Sequence, residues 1–126
     1  DLMVPLSAVP EMLRRIEAAG REWGLEMGII AHIGDGNIHP IPIKPEGMTP
    51  EKWAIYSEEF FEALIKEAIK LGGVGSGEHG VGHVKQHIIT QSKSPAELEL
   101  LRGIKRTFDP LNILNPGKMF FPLGDR

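Results

Sequence analysis

Apolar positions fall into two rhythms along this chain, one helical and one extended. Val9, Met12, Leu13, Ile16 and Ala19 recur roughly every 3.6 residues and predict one face of a helix. Ser7 is its expected N-cap, Pro10 sits in the tolerated first turn, and Gly20 or Gly24 marks the end. Trp53, Phe60, Phe61, Leu64, Ile65, Ala68 and Leu71 repeat that pattern over a longer helix, about 51–71. Its aromatics belong to the core, and Glu62 and Lys66 form an exposed i,i+4 pair. Extended runs lie at 2–6, 25–33 and 37–43, with Pro5, Pro40 and Pro42 assigning the first and last to sheet edges or early exits. Further on, a short helix is expected from Val84 to about Thr90. Ser94-Pro95-Ala96-Glu97 is a capping box that opens another, ending near Thr107 before Asp109-Pro110. The order of elements predicts an α+β fold, an antiparallel sheet with helices on one face.

Two stretches stand outside these rhythms, and both carry chemistry. The octapeptide His32-Ile33-Gly34-Asp35-Gly36-Asn37-Ile38-His39 has Asp-Gly between apolar residues, a strong signal for a hairpin with a two-residue turn. In that register His32 faces His39 on one sheet face, with Cβ atoms roughly 4.5–5.5 Å apart. Two imidazoles so held can grip one metal ion, the plainer alternative being two histidines at the mouth of a hairpin. The second stretch, residues 72–82, has six glycines among eleven residues, which rules out a regular helix and lets backbone approach a ligand closely. It contains a formal G-x-G-x-x-G match at Gly75–Gly80. A long helix precedes the match and no second parallel strand follows, and Glu78 would put a carboxylate where pyrophosphate should sit. The dinucleotide reading is therefore rejected.

Glu78 is instead the natural third ligand of a His-His-Glu set with His32 and His39, with His79 beside it in the same cavity. A solvated Glu-His pair on a surface turn is the alternative. His83 and His87 share an i,i+4 spacing on the expected short helix and are taken as surface or supporting residues.

Composition narrows the chemistry further. With no cysteine there is neither a disulfide nor a thiolate site, so a metal would be Zn²⁺, Fe²⁺ or Mn²⁺ on His and carboxylate ligands. A net charge of −3 argues against nucleic acid as a partner. The 126 residues are expected to form one domain, and no apolar run approaches a membrane span. An initial Asp in place of Met suggests a piece of a longer chain.

The His32–His39 octapeptide, the loop Ser76-Gly77-Glu78-His79-Gly80-Val81-Gly82 and the tail Phe108-Asp109-Pro110-Leu111-Asn112-Ile113-Leu114-Asn115-Pro116-Gly117-Lys118 occur in that order. Together they closely resemble the C-terminal part of FAD-linked 2-hydroxy-acid dehydrogenases. This is the group of the glycolate oxidase flavin subunit, D-lactate dehydrogenase and D-2-hydroxyglutarate dehydrogenase, and the first is the nearest likeness. The resemblance covers essentially the whole chain.

It implies that His32, His39 and Glu78 bind a divalent metal, Zn or Mn, that His79 is the general base, and that Asn115 lies near the flavin ring. It implies a ferredoxin-like portion of a substrate or cap domain followed by a C-terminal helical segment, with FAD bound mainly by a preceding domain that is absent here. A small 2-hydroxy acid such as glycolate or D-lactate is the expected substrate, since Ile41 stands where some hydroxyglutarate-type members have a polar substrate contact. Partners would be the FAD domain and other oxidase subunits, in the cytoplasm or peripheral to the membrane. The piece alone is expected to be inactive for want of a hydride acceptor. It is also expected to self-associate through the surface its missing domain would cover. The competing readings are a free-standing His-His-Glu enzyme without flavin and a non-catalytic α+β interaction module.

Overall fold

The computed structural model describes residues 1–120, with Thr90 and Gln91 described by backbone alone. It divides into two compact units, Asp1–His79 and the chain from Gly80 onward. The first holds strand β1 (Leu2–Met3), helix α1 (Val9–Glu22), strands β2 (Met27–His32) and β3 (Asn37–Pro42), and helix α2 (Pro50–Lys70). The second holds α3 (Gln86–Ser92) and α4 (Pro95–Phe108). The fold is α+β, as expected.

The three strands form one antiparallel sheet in the order β1-β3-β2. Alternation along β3 separates two faces. Ile38 is wholly buried and Pro40 is buried beside it, whereas Ile41 is exposed. The Ile38 face is the one covered by α1 and α2, which bury Met12, Ile16, Phe60 and Leu64 against it. Trp23 closes the far end, edge-on to Tyr56 and Phe60, and the Tyr56 hydroxyl donates to the Trp23 carbonyl at 2.6 Å. An Arg15–Glu67 ion pair at 2.6 Å ties the two helices together outside the apolar seam. The opposite sheet face carries no helix of this unit and shows Met3 and Ile30 to solvent.

Local signals set most boundaries, and four expectations are corrected. Ser7 does not cap α1; it lies inside a short 3-10 turn, Leu6–Ala8, whose carbonyls lead straight into the helix. The first strand is only two residues long: Val4 N–H still reaches the Gly36 carbonyl in register, but the Gly36 N–H goes to the Ile33 carbonyl and the ladder stops there. The strand holding Pro40 and Pro42 is central, not an edge, over Asn37–Ile38. Beyond Ile38, β1 has ended, and among the described residues no strand pairs with that side of β3. The Ile43 N–H to Glu26 carbonyl bond fixes the alternation, so both prolines fall where a missing N–H would point away from β2. Finally, the short third helix begins at Gln86, not Val84. The Glu62–Lys66 pair is present at 3.1 Å, and Ser94 and Glu97 form the reciprocal capping box. Among the described residues, no helix is long and apolar enough to cross a membrane.

Candidate metal centre and catalytic loop

The hairpin register differs from the expectation by two residues. His32 pairs with Asn37 and Ile30 pairs with His39, leaving a four-residue connection, Ile33–Gly36. Ile33–Asp35 make a 3-10 turn, and Gly36 closes it with φ of 76°, a conformation that suits glycine. The Gly36 carbonyl accepts from Val4 N–H at 3.0 Å, so β1 holds the wider loop in place. Because the slip is an even number, every side chain keeps its face. His32 and His39 become diagonal rather than opposed neighbours, and their rings meet edge to face with centroids 5.5 Å apart. Both lie on the helix-free face of the sheet.

The glycine-rich loop reaches the same face. Val74 exchanges backbone hydrogen bonds with Met3, which lays the loop along the outer side of β1. From there it turns over the hairpin, and Glu78 Oε1 comes to 3.1 Å from His39 Nε2 and 3.4 Å from His32 Nε2. His79 stacks on His39 with centroids 5.0 Å apart and 12° between the planes. Its Nε2 lies 3.8 Å from Glu78 Oε1 and its Nδ1 3.9 Å from Asp1 Oδ2. Helix α2 precedes the loop and helix α3 follows it, with no βαβ unit around it among the described residues.

This donor set fits a divalent ion. Ligand atoms at about 2.0–2.2 Å from a tetrahedral or octahedral metal lie roughly 3.0–3.4 Å from one another, which is the spacing of the two imidazole nitrogens from the carboxylate oxygen. Burial, the largest influence, lowers the His39 pKa, while Glu78 opposes it. A neutral ring keeps the Nε2 lone pair available for a metal. Asp1, His39 and His79 form a second grouping close enough for an ion. The Asp1 carboxylate, however, already accepts from Ser76 Oγ, the N–H groups of Gly77, Glu78 and His79, and Asn37 Nδ2. Those donors fill its roughly four lone-pair positions, so the Glu78 set is the better candidate.

The sequence of the chain matches the family model described as FAD linked oxidases, C-terminal domain, over residues 1–119. The chain belongs to this family. Among the relatives of this FAD-linked oxidase domain is a D-lactate dehydrogenase of Archaeoglobus fulgidus, 43% identical over 94% of this chain and 26% of the relative. A D-2-hydroxyglutarate dehydrogenase of Stutzerimonas stutzeri is 36% identical over 95% of the chain and 26% of its own length. The glycolate oxidase subunit GlcD of Bacillus subtilis is 34% identical over 95% and 25%. The D-lactate dehydrogenase is thus more similar than the glycolate oxidase subunit, contrary to the likeness read from the motifs. The chain spans about a quarter of the length of these relatives.

In the second unit of the oxidase domain, Asn115 is exposed and left-handed, with φ of 48°, at the start of a turn closed by Lys118 N–H to its carbonyl. His83 lies in the turn before α3 and His87 within it, so the two do not share the short helix expected for them. Three residues around the site escape a reading of the sequence: Asp1, Asn37 and Ser76. Asn37 lies inside the octapeptide and could have been suspected there. Asp1 is 75 residues from Ser76 and has no spacing to betray it.

Proposed function

We propose that the chain is the metal- and substrate-binding portion of an FAD-linked dehydrogenase that oxidises a small 2-hydroxy acid to the 2-oxo acid. The observation that carries this is the convergence of His32 Nε2, His39 Nε2 and Glu78 Oε1 beside His79, within an FAD-linked oxidase C-terminal domain. His32, His39 and Glu78 would hold a divalent ion, Zn or Mn, on the helix-free sheet face. Once bound, the ion would polarise the substrate hydroxyl as a Lewis acid, and the flavin would supply the two-electron acceptor.

The protein's own residues supply the rest. His79 takes the hydroxyl proton on a ring nitrogen; its exposed edge leaves room for substrate, and its stacking on His39 fixes the ring plane. Ile41 stands two residues beyond His39 on the same face and is exposed. An apolar side chain there offers nothing to a second carboxylate, which favours glycolate or D-lactate over a dicarboxylic acid. Asn115 would meet the flavin, and a preceding FAD-binding domain and further oxidase subunits complete the enzyme, in the cytoplasm or at a membrane surface.

Titration of the 126-residue chain with Zn²⁺ and Mn²⁺, with His32→Ala and Glu78→Ala in parallel, tests the centre. One equivalent bound by the wild type and binding weakened at least tenfold in each variant are expected. A folded wild-type chain that binds neither ion would remove the metal from this reading.

A further inference from the structure

The catalytic loop has no regular structure of its own, yet Glu78 and His79 must be held in place for the site to exist. The candidate support is a single carboxylate. Asp1 has a side chain only 1% exposed, behind the loop. Its Oδ1 accepts from Gly77 N–H at 3.1 Å, Glu78 N–H at 3.2 Å and Asn37 Nδ2 at 3.1 Å. Its Oδ2 accepts from Ser76 Oγ at 2.8 Å and His79 N–H at 3.1 Å. Successive backbone N–H groups converging on one anion form a nest, the arrangement by which glycine-rich loops usually cradle phosphate. Here the anion is the protein's own.

We propose that Asp1 is the positioning residue of the candidate centre: its buried carboxylate gathers the amides of residues 77–79 and so aims Glu78 and His79 at His32 and His39. This rests on the reading of the site given above. Without the carboxylate, three loop N–H groups lose their acceptor, and Glu78 is free to leave the position where its oxygen meets both imidazoles. Asn37 joins the two halves, because it donates to Asp1 from the β3 position paired with His32. The carboxylate thereby registers the loop to the hairpin rather than merely tethering it.

Two variants separate positioning from general destabilisation. Asp1→Ala removes the acceptor. Asp1→Asn keeps one oxygen, which is best placed towards the three donors on the Oδ1 side, so that the new NH₂ faces Ser76 and His79. Amide hydrogen exchange and Zn²⁺ affinity are measured on both, with thermal unfolding as a control on the fold. Asp1→Ala is expected to speed exchange at Gly77, Glu78 and His79 and to weaken Zn²⁺ binding about ten- to a hundredfold, the usual cost of losing a group that orients a ligand. Asp1→Asn is expected to speed exchange mainly at His79 and to change Zn²⁺ affinity by less than about tenfold. Wild-type exchange rates at Glu78 and His79 in Asp1→Ala would overturn the proposal, as would Zn²⁺ affinity unchanged in that variant. If the wild type itself binds no Zn²⁺, the metal reading fails, and the exchange rates still decide whether Asp1 holds the loop.

Discussion

Gly77 shows how tightly the loop is fitted. A Cβ built there would overlap the Asn37 side-chain amide and stand 3.1 Å from Asp1 Oδ1. Asn37 is 4% exposed and cannot swing aside without breaking its bond to Asp1. Gly77→Ala should therefore cost about 1–3 kcal/mol, the usual penalty of overpacking, and, on the proposed reading of the site, weaken Zn²⁺ binding by pushing the neighbouring Glu78 off the hairpin. Gly34 makes the control: a Cβ there meets nothing within 4 Å, so Gly34→Ala should change stability by no more than about 0.5 kcal/mol. Chemical denaturation of both variants checks the contrast, and equal stabilities would refute it. At this scale the histidines and Glu78 are legible, since ligand-type residues at motif spacing announce themselves. Asp1 is not, because a hydrogen-bond acceptor 75 to 78 residues from its donors in the loop leaves no periodic trace.

At the scale of elements, helices were legible because their signals are local. The Ser94–Glu97 capping box and the apolar stripe of α2 each specify an element within a few turns of chain. Hairpin register was not, because Asp-Gly predicts the shortest loop while the observed slip preserves both faces. The apolar pattern accepts either register, and the Val4–Gly36 bond from a different strand selects the wider one. The turn after α4 has a local clasp with a pH signature. Asp109 is buried, pairs with Lys105, and accepts from Ile113 N–H at 2.9 Å and Leu114 N–H at 3.0 Å. The Lys105 hydrogen bond, then the two backbone amides, hold its pKa below the ordinary value of 3.8 despite burial. A pKa lower in the folded than in the unfolded state means that the contribution is complete above about pH 4 and is lost as pH falls through the folded pKa. Protection of the Ile113 and Leu114 amides, taken relative to the intrinsic exchange rate at each pH, should fall in that acid window in the wild type. In Asp109→Asn it should be low already at pH 6, and wild-type protection that stays constant with pH would contradict the assignment.

Across the described residues, large apolar side chains are exposed in both units. In the first unit, Met3, Ile30 and Ile41 lie bare on the sheet face that carries the histidines. In the second, Leu100, Ile104 and Phe108 repeat every four residues along α4, lining an open groove, and Leu111, Ile113 and Leu114 follow them. Contiguous exposed apolar patches on soluble proteins mark contact surfaces, and relatives about four times this length have chain to cover them. Such a stripe is legible as an amphipathic helix face in the sequence, but not as an exposed one, since periodicity says which residues share a face and not what covers it. In the isolated chain a second copy is the available cover, and a net charge of −3 gives little repulsion to prevent it. Sedimentation velocity should therefore show reversible self-association that deepens with concentration and with added salt. Leu100→Glu with Ile104→Lys should shift the distribution towards monomer without lowering the unfolding temperature, because neither side chain is buried in the unit. A single monomer peak at high concentration would show that the α4 face is tolerated bare.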